Sequence, residues 1–178
     1  LTSSAIKSNT DLDTLVSNLP TDAVEDALNE FELALIRAYN GLERWQQQSM
    51  LSISDTPLSG AEGALLHIIR MNDRPKSIKE LARLTNRDDI PNIQYSLRKL
   101  ASAGLISKSG SGRTGVTYST TPEGVKLTDA HLANRRERLI DTLKQFEEIE
   151  NEMDVTRGLL NRVTSIFEET VRNIAARR

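Results

Sequence analysis

Cysteine is absent from all 178 residues, which excludes disulfides, thiolate metal sites, iron–sulfur clusters and cysteine nucleophiles and makes a reducing, cytoplasmic setting the expectation. Aromatic residues are scarce, at 4% against 27% charged and 38% hydrophobic. That balance points to a soluble, helix-rich chain rather than an aromatic-rich barrel. Long apolar runs are missing too: none approaches the roughly 20 residues that cross a bilayer, and the start at Leu1 shows no basic stretch leading into an apolar one. Neither a membrane partner nor a secretory leader is expected. His67 and His131 are the only histidines, far apart and without cysteine nearby, so no metal site and no cofactor are expected, and His67, between Leu66 and Ile68, reads as a packing residue. No serine, histidine and carboxylate stand at a recognisable catalytic spacing, so the chain is not expected to be an enzyme.

The net charge is only −2, but it is unevenly spread. Residues 1–57 hold 3 Lys/Arg against 9 Asp/Glu, a net of −6, and residues 58–128 hold 11 against 6, a net of +5. The last 50 residues are near neutral, with 9 against 10. A polyanionic partner is therefore expected at the middle of the chain.

Residues 1–20 read as a mobile arm whose Leu12, Leu15, Val16 and Leu19 form one apolar turn before Pro20. From Thr21 the chain becomes periodic. Val24, Leu28, Phe31, Leu35, Ala38, Leu42 and Trp45 alternate steps of four and three, a narrow packing seam on one helix that suits either the chain's own core or a partner helix. Ser52 to Pro57 break it, so residues 21–57 make one helix and a linker.

Residues 58–128 then read as a string of short elements. Ser59-Gly60-Ala61-Glu62 has capping-box spacing ahead of Leu65, Leu66, Ile68 and Ile69, and Ser77-Ile78-Lys79-Glu80 repeats it ahead of Leu81, Ala82 and Leu84. Asp89 stands where a cap is needed for a third helix, with Ile93, Leu97 and Leu100 on one face and Gly104 at its left-handed exit. Leu105–Ser109 and Val116–Thr120 are strand-like and joined by a Gly-rich tip, and Thr121-Pro122-Glu123 opens a helix again. The tip matches G-x-G-x-x-G at Gly110, Gly112 and Gly115, but a β-prone segment follows it instead of a helix, so it reads as a turn and not a phosphate cradle. Residues 129–178 continue as amphipathic helices, with Leu132, Leu139, Leu143, Phe146 and Ile149 on one apolar side, a break expected near Asn151 to Asp154, and Phe167, Val171 and Ile174 on the last helix.

Helix, short helix, turn, third helix and β-hairpin within about 70 residues is the order of a winged helix-turn-helix unit. The predicted fold class is mainly α, a winged helix-turn-helix domain with a two-stranded β-hairpin wing, flanked by N- and C-terminal helices. In such a unit Asn92, Gln94 and Tyr95 would meet base edges in the major groove of double-stranded DNA, and Arg98 and Lys99 would meet phosphates. Lys108, Arg113 and Thr114 would supply the wing.

Leu97-Arg-Lys-Leu-Ala-Ser-Ala-Gly-Leu-Ile, with Ser77-Ile-Lys-Glu-Leu-Ala-Arg-Leu before it and Tyr118-Ser-Thr-Thr-Pro-Glu-Gly after it, resembles the MarR family of bacterial transcription regulators. Leu100 to Ile106 match that family's Leu-x-x-x-Gly-Leu-[Ile/Val] exit from the recognition helix. The wing keeps the family's arginine at Arg113 without the usual aspartate, and Thr120 replaces the usual leucine of the return. Tyr95 stands where the family often has a basic residue. The resemblance implies an obligate homodimer built from both ends of the chain. Val24, Leu28, Phe31, Leu35, Leu42, Phe167, Val171 and Ile174 are placed for that role. It also implies a small-molecule effector pocket between the dimer helices and the winged domain, for which Tyr39, Trp45 and Met50 are the candidates. The rival reading, motivated by Asp88 and Asp89 at the entrance of the third helix, is a winged-helix adaptor that binds protein and lacks sequence-specific DNA binding.

Overall fold

The computed structural model describes residues 22–111 and 115–177. The arm 1–20 and the wing residues Arg113 and Thr114 lie outside them. Elements follow in the order α1 (Ala23–Leu51), α2 (Gly60–Arg70), β1 (Lys76–Ser77), α3 (Ile78–Thr85), α4 (Ile90–Ser102), β2 (Ile106–Ser109), β3 (Thr117–Thr120), α5 (Pro122–Arg135), α6 (Asp141–Leu143) and α7 (Ile149–Ala175). The chain divides into two compact units, one ending at Thr128 and the other running from Asp129.

The first unit is mainly helical and carries the winged helix. Asp22 caps α1, its carboxylate accepting from the backbone N–H of Val24 and of Glu25 at 2.9 Å each. The capping box at α2 is complete: Ser59 Oγ accepts from the Glu62 N–H at 3.2 Å and Glu62 Oε2 accepts from the Ser59 N–H at 2.8 Å. At α3 only half of it forms. Ser77 Oγ accepts from the Glu80 N–H at 3.2 Å, but the Glu80 carboxylate is taken by Arg74, a stronger, charge-assisted partner than a backbone amide.

Leu58, Leu65, Leu66, Ile69, Leu81, Ile93, Leu97, Leu100, Leu105 and Ile106 converge in one core, together with Met50 from the end of α1 and Leu127 from α5. Leu65, Leu66, Ile69, Leu81, Ile93, Leu97 and Leu100 are positions that the helical spacing placed on inward faces, whereas Leu84, placed there too, is exposed. The wing strands pair in antiparallel register, Ile106 with Thr120 and Ser109 with Thr117. A third strand joins them: β1 pairs with β3, Lys76 opposite Tyr118, so the sheet has the order β1-β3-β2. Sequence reading missed β1 because two residues hold no periodicity. Its Lys76 is buried, with Nζ donating to the carbonyls of Ile69 at 2.9 Å and Arg74 at 3.2 Å and also to Met71. The ammonium thereby satisfies one carbonyl in the last turn of α2 and two in the turn that follows it. Burial lowers its pKa from the ordinary lysine value.

The chain leaves the wing through Thr121, whose hydroxyl donates to the Gly104 carbonyl at 2.6 Å and accepts from the Gly124 N–H at 3.1 Å. Here glycine is required: a Cβ on Gly124 would lie 2.0 Å from the Leu105 carbonyl oxygen. Gly104, Gly110 and Gly115 all have positive φ, of 72°, 82° and 73°, and bracket the recognition helix exit and the wing tip.

In the second unit a π-helical segment, Arg136–Ile140, precedes α6. The helical break falls at 144–148, where Glu148 adopts φ 60°, and not at Asn151–Asp154, which lie inside α7. Asn and Asp disfavour a helix interior by only a few tenths of a kcal/mol, too little to stop a helix of this length. No residue of α7 is buried, and of α1 only Ser49 and Met50 are.

Candidate nucleic-acid interface

The helix α4 shows two faces. Ile93, Ser96, Leu97 and Leu100 point into the core, and Asn92, Gln94, Tyr95 and Arg98 are exposed on the other side. Tyr95 is 60% accessible. The i, i+3 spacing of Asn92, Tyr95 and Arg98 and the i, i+4 spacing of Gln94 and Arg98 gather these side chains on one stripe. Amide, phenol and guanidinium groups on an outward helix are the chemistry that pairs with base edges and phosphates.

Asp89 is the N-cap residue by position, yet its carboxylate makes no capping bond. It faces Arg87, which donates from Nε to Oδ1 at 2.7 Å and from Nη2 to Oδ2 at 2.6 Å. Asn92 Nδ2 donates to the same Oδ2 at 3.2 Å. The hydrogen bonds from Arg87 hold the carboxyl down at about 2, against a smaller opposing effect of desolvation and with further help from Asn92. The negative charge of Asp89 is thus matched locally, and it orients Asn92. Asp88 remains exposed. Sequence reasoning missed Arg87. Its signal was present as Arg87-Asp88-Asp89, a basic residue two positions before the cap.

Lys99 is placed differently from the rest of the set. Its Nζ donates to Glu62 Oε2 at 2.8 Å, and the Glu62 side chain is only 6% accessible. Lys99 is thereby engaged by an ion pair toward α2. On the wing, Lys108 is exposed on β2, opposite Tyr118.

The candidates for an effector pocket separate. Tyr39 lines a cavity of about 200 Å³ between α1, α2 and the α3–α4 turn, with Leu42, Gln46, Leu65, Thr85 and Arg87. Met50 is 1% accessible in the core and Trp45 is half-buried; neither lines that cavity. The seam residues are largely open. Val24, Leu28, Leu35 and Leu42 on α1 and Phe167, Val171 and Ile174 on α7 are all exposed, and Phe31 is half-buried.

Residues 58–124 match the model of a winged helix DNA-binding domain. No protein of curated function matches the sequence. Among solved structures, the fold is similar to that of a MarR family transcription regulator, at TM-score 0.65 and 16% identity over 83% of this chain and 95% of that one. It is similar to MarR of Staphylococcus aureus, solved with salicylate and kanamycin, at TM-score 0.64 and 15% identity over 80% of this chain and 93% of that one. It is also similar to the transcriptional regulator BldR of Sulfolobus solfataricus, at TM-score 0.63 and 19% identity over 80% and 99% of the two chains. The chain carries a winged helix domain of the DNA-binding kind over residues 58–124 and has, over most of its length, the fold of the MarR family of transcription regulators.

Proposed function

We propose that the protein is a homodimeric, sequence-specific transcription regulator that binds double-stranded DNA. The observation that carries this reading is the exposed stripe Asn92, Gln94, Tyr95 and Arg98 on the helix that follows the turn of a winged helix domain. Arg98 and Lys108, with Arg113 and Thr114 at the wing tip, supply phosphate contacts, and Asn92, Gln94 and Tyr95 read bases. Residues 58–128 act as the DNA-binding domain. Residues 21–57 and 129–178 act in dimerisation, supported by the apolar seams that α1 and α7 leave open to solvent.

Two-fold symmetry places the recognition helices about 34 Å apart and calls for a pseudo-palindromic operator. The cavity beside Tyr39 is the site for a small effector that releases DNA. A single aromatic ring suits its size, and the salicylate complex of the S. aureus MarR supports such a ligand. Selection of bound fragments from random duplex DNA, followed by mobility shift at rising salt, tests the reading. Enrichment of a two-fold symmetric motif is expected, with affinity falling steeply as salt rises. Failure to retain any duplex at low salt overturns it in favour of the protein-binding adaptor.

A further inference from the structure

Lys99 and Glu62 lie 37 positions apart in the chain, yet their ion pair joins the recognition helix to the N-terminus of α2. Glu62 Oε2 accepts from both the Lys99 ammonium and the Ser59 N–H, each at 2.8 Å. The carboxylate is therefore locked to the first turn of α2 and grips α4 from there. That first turn is itself held against α1. A Cβ on Gly60 would come 2.8 Å from the Glu43 carbonyl oxygen, and one on Gly63 would come 3.0 Å from Met50 Cε. At Gly60 helix α2 packs against the backbone of α1, and at Gly63 the Met50 side chain fills the space between them. From α1 to Gly60, to Glu62, to Lys99, the chain of contacts links a helix with an open apolar seam to the helix with the open polar stripe.

Ile93, Leu97 and Leu100 anchor α4 in the core, with Ser96 buried beside them. Apolar burial sets how close a helix packs, but its driving force is non-directional. A charge-assisted hydrogen bond donated to a nearly buried carboxylate is directional. In some proteins fixed polar contacts of this kind serve specificity of arrangement.

We infer that Glu62 and Lys99 form a strut that sets the angle of α4 relative to α1, so that Glu62 is a positioning residue for the spacing between DNA half-sites. This rests on the dimeric regulator reading. The strut touches no DNA, and its loss lets each recognition helix settle over several positions.

The test uses the full chain, a duplex obtained by random selection, and derivatives of that duplex with the half-site spacing changed by one or two base pairs. Wild type is expected to show a sharp optimum. Lys99→Met and Glu62→Gln are expected to flatten it, lowering the preference for the best spacing by about tenfold or more, the order set by loss of one charged hydrogen bond from a single arrangement. Lys99→Arg is expected to keep the optimum. Sedimentation and urea midpoints establish that each variant is folded and dimeric. If Glu62→Gln does not fold, Lys99→Met decides, because it leaves the Ser59–Glu62 capping box in place. An unchanged optimum in Lys99→Met overturns the strut. So does an equal loss at every spacing, which would return Lys99 to the phosphate contacts. A wild type that binds no duplex or shows no spacing optimum overturns the regulator reading and the strut together.

Discussion

Arg87 grips Asp89 through two hydrogen bonds, of 2.7 and 2.6 Å, at the entrance of the recognition helix. The pair neutralises Asp89, leaving Asp88 as the net charge of the entrance, and holds the Asp89 carboxylate oriented to receive Asn92. The carboxyl pKa falls from an ordinary 3.8 to about 2, chiefly through the hydrogen bonds from Arg87. A depressed carboxylate contributes stability above its unfolded value and loses it as pH falls through its folded value. The pair is thus intact at neutral pH and lost between about pH 4 and pH 2. A carboxyl-carbon NMR titration should show a midpoint near 2 for Asp89 in wild type. In Arg87→Met the midpoint should rise toward 3.8, and the uncovered charge should weaken DNA binding at neutral pH. An unchanged midpoint in Arg87→Met would remove Arg87 as the cause.

Gly124 should tolerate no side chain. A Cβ there would sit 2.0 Å from a backbone oxygen, and neither the start of α5 nor the recognition helix exit can move without disturbing the Thr121 bridge between them. Gly124→Ala is expected to cost about 3 kcal/mol, the upper range for overpacking, read as a lowered urea midpoint at constant slope. A loss under about 0.5 kcal/mol, the range of an ordinary surface substitution, would show that the junction is soft.

Base-reading and phosphate-binding residues should fail in different ways. Asn92→Ala or Gln94→Ala is expected to cost about 1–3 kcal/mol on the selected duplex and little on random duplex, relaxing specificity. Arg113→Ala should weaken both alike and reduce the salt slope by about one. Equal losses on the two duplexes for Asn92→Ala and Gln94→Ala would count against base reading.

The open seams should be covered by a second copy. Val171 is 63% exposed on α7, so Val171→Asp costs little within one chain but places a charge in a partner-facing seam. Sedimentation should show a shift from dimer to monomer while circular dichroism stays helical. A wild type that sediments as a monomer at micromolar concentration would refute the dimer.

Much of the winged domain was legible because its signals are local. The Ser59–Glu62 capping box, the left-handed Gly104, the strand pair on either side of the Gly-rich tip and Pro122 at the first turn of α5 all stand where their chemistry requires. The misplaced break in the C-terminal helices shows the limit of that logic. The turn-prone Asn151 and Asp154 continue a helix, whereas Glu148, with no turn signature, takes the left-handed conformation. Residue preference is weak there beside the packing of neighbouring turns.

The candidate interface divides along the same line. Which residues of α4 face outward followed from period alone, because a helix with Ile93, Leu97 and Leu100 buried must turn Asn92, Gln94, Tyr95 and Arg98 away. Tertiary structure decided the partners. Lys99 is one step from Arg98 in the chain, yet it serves Glu62 in a helix 37 residues earlier. Lys76 serves the end of α2, and Met50 belongs to the core instead of a ligand cavity. Periodicity specifies which way a side chain points; what waits there depends on contacts between distant segments, which only the folded chain brings within the few ångströms over which charges and hydrogen bonds act.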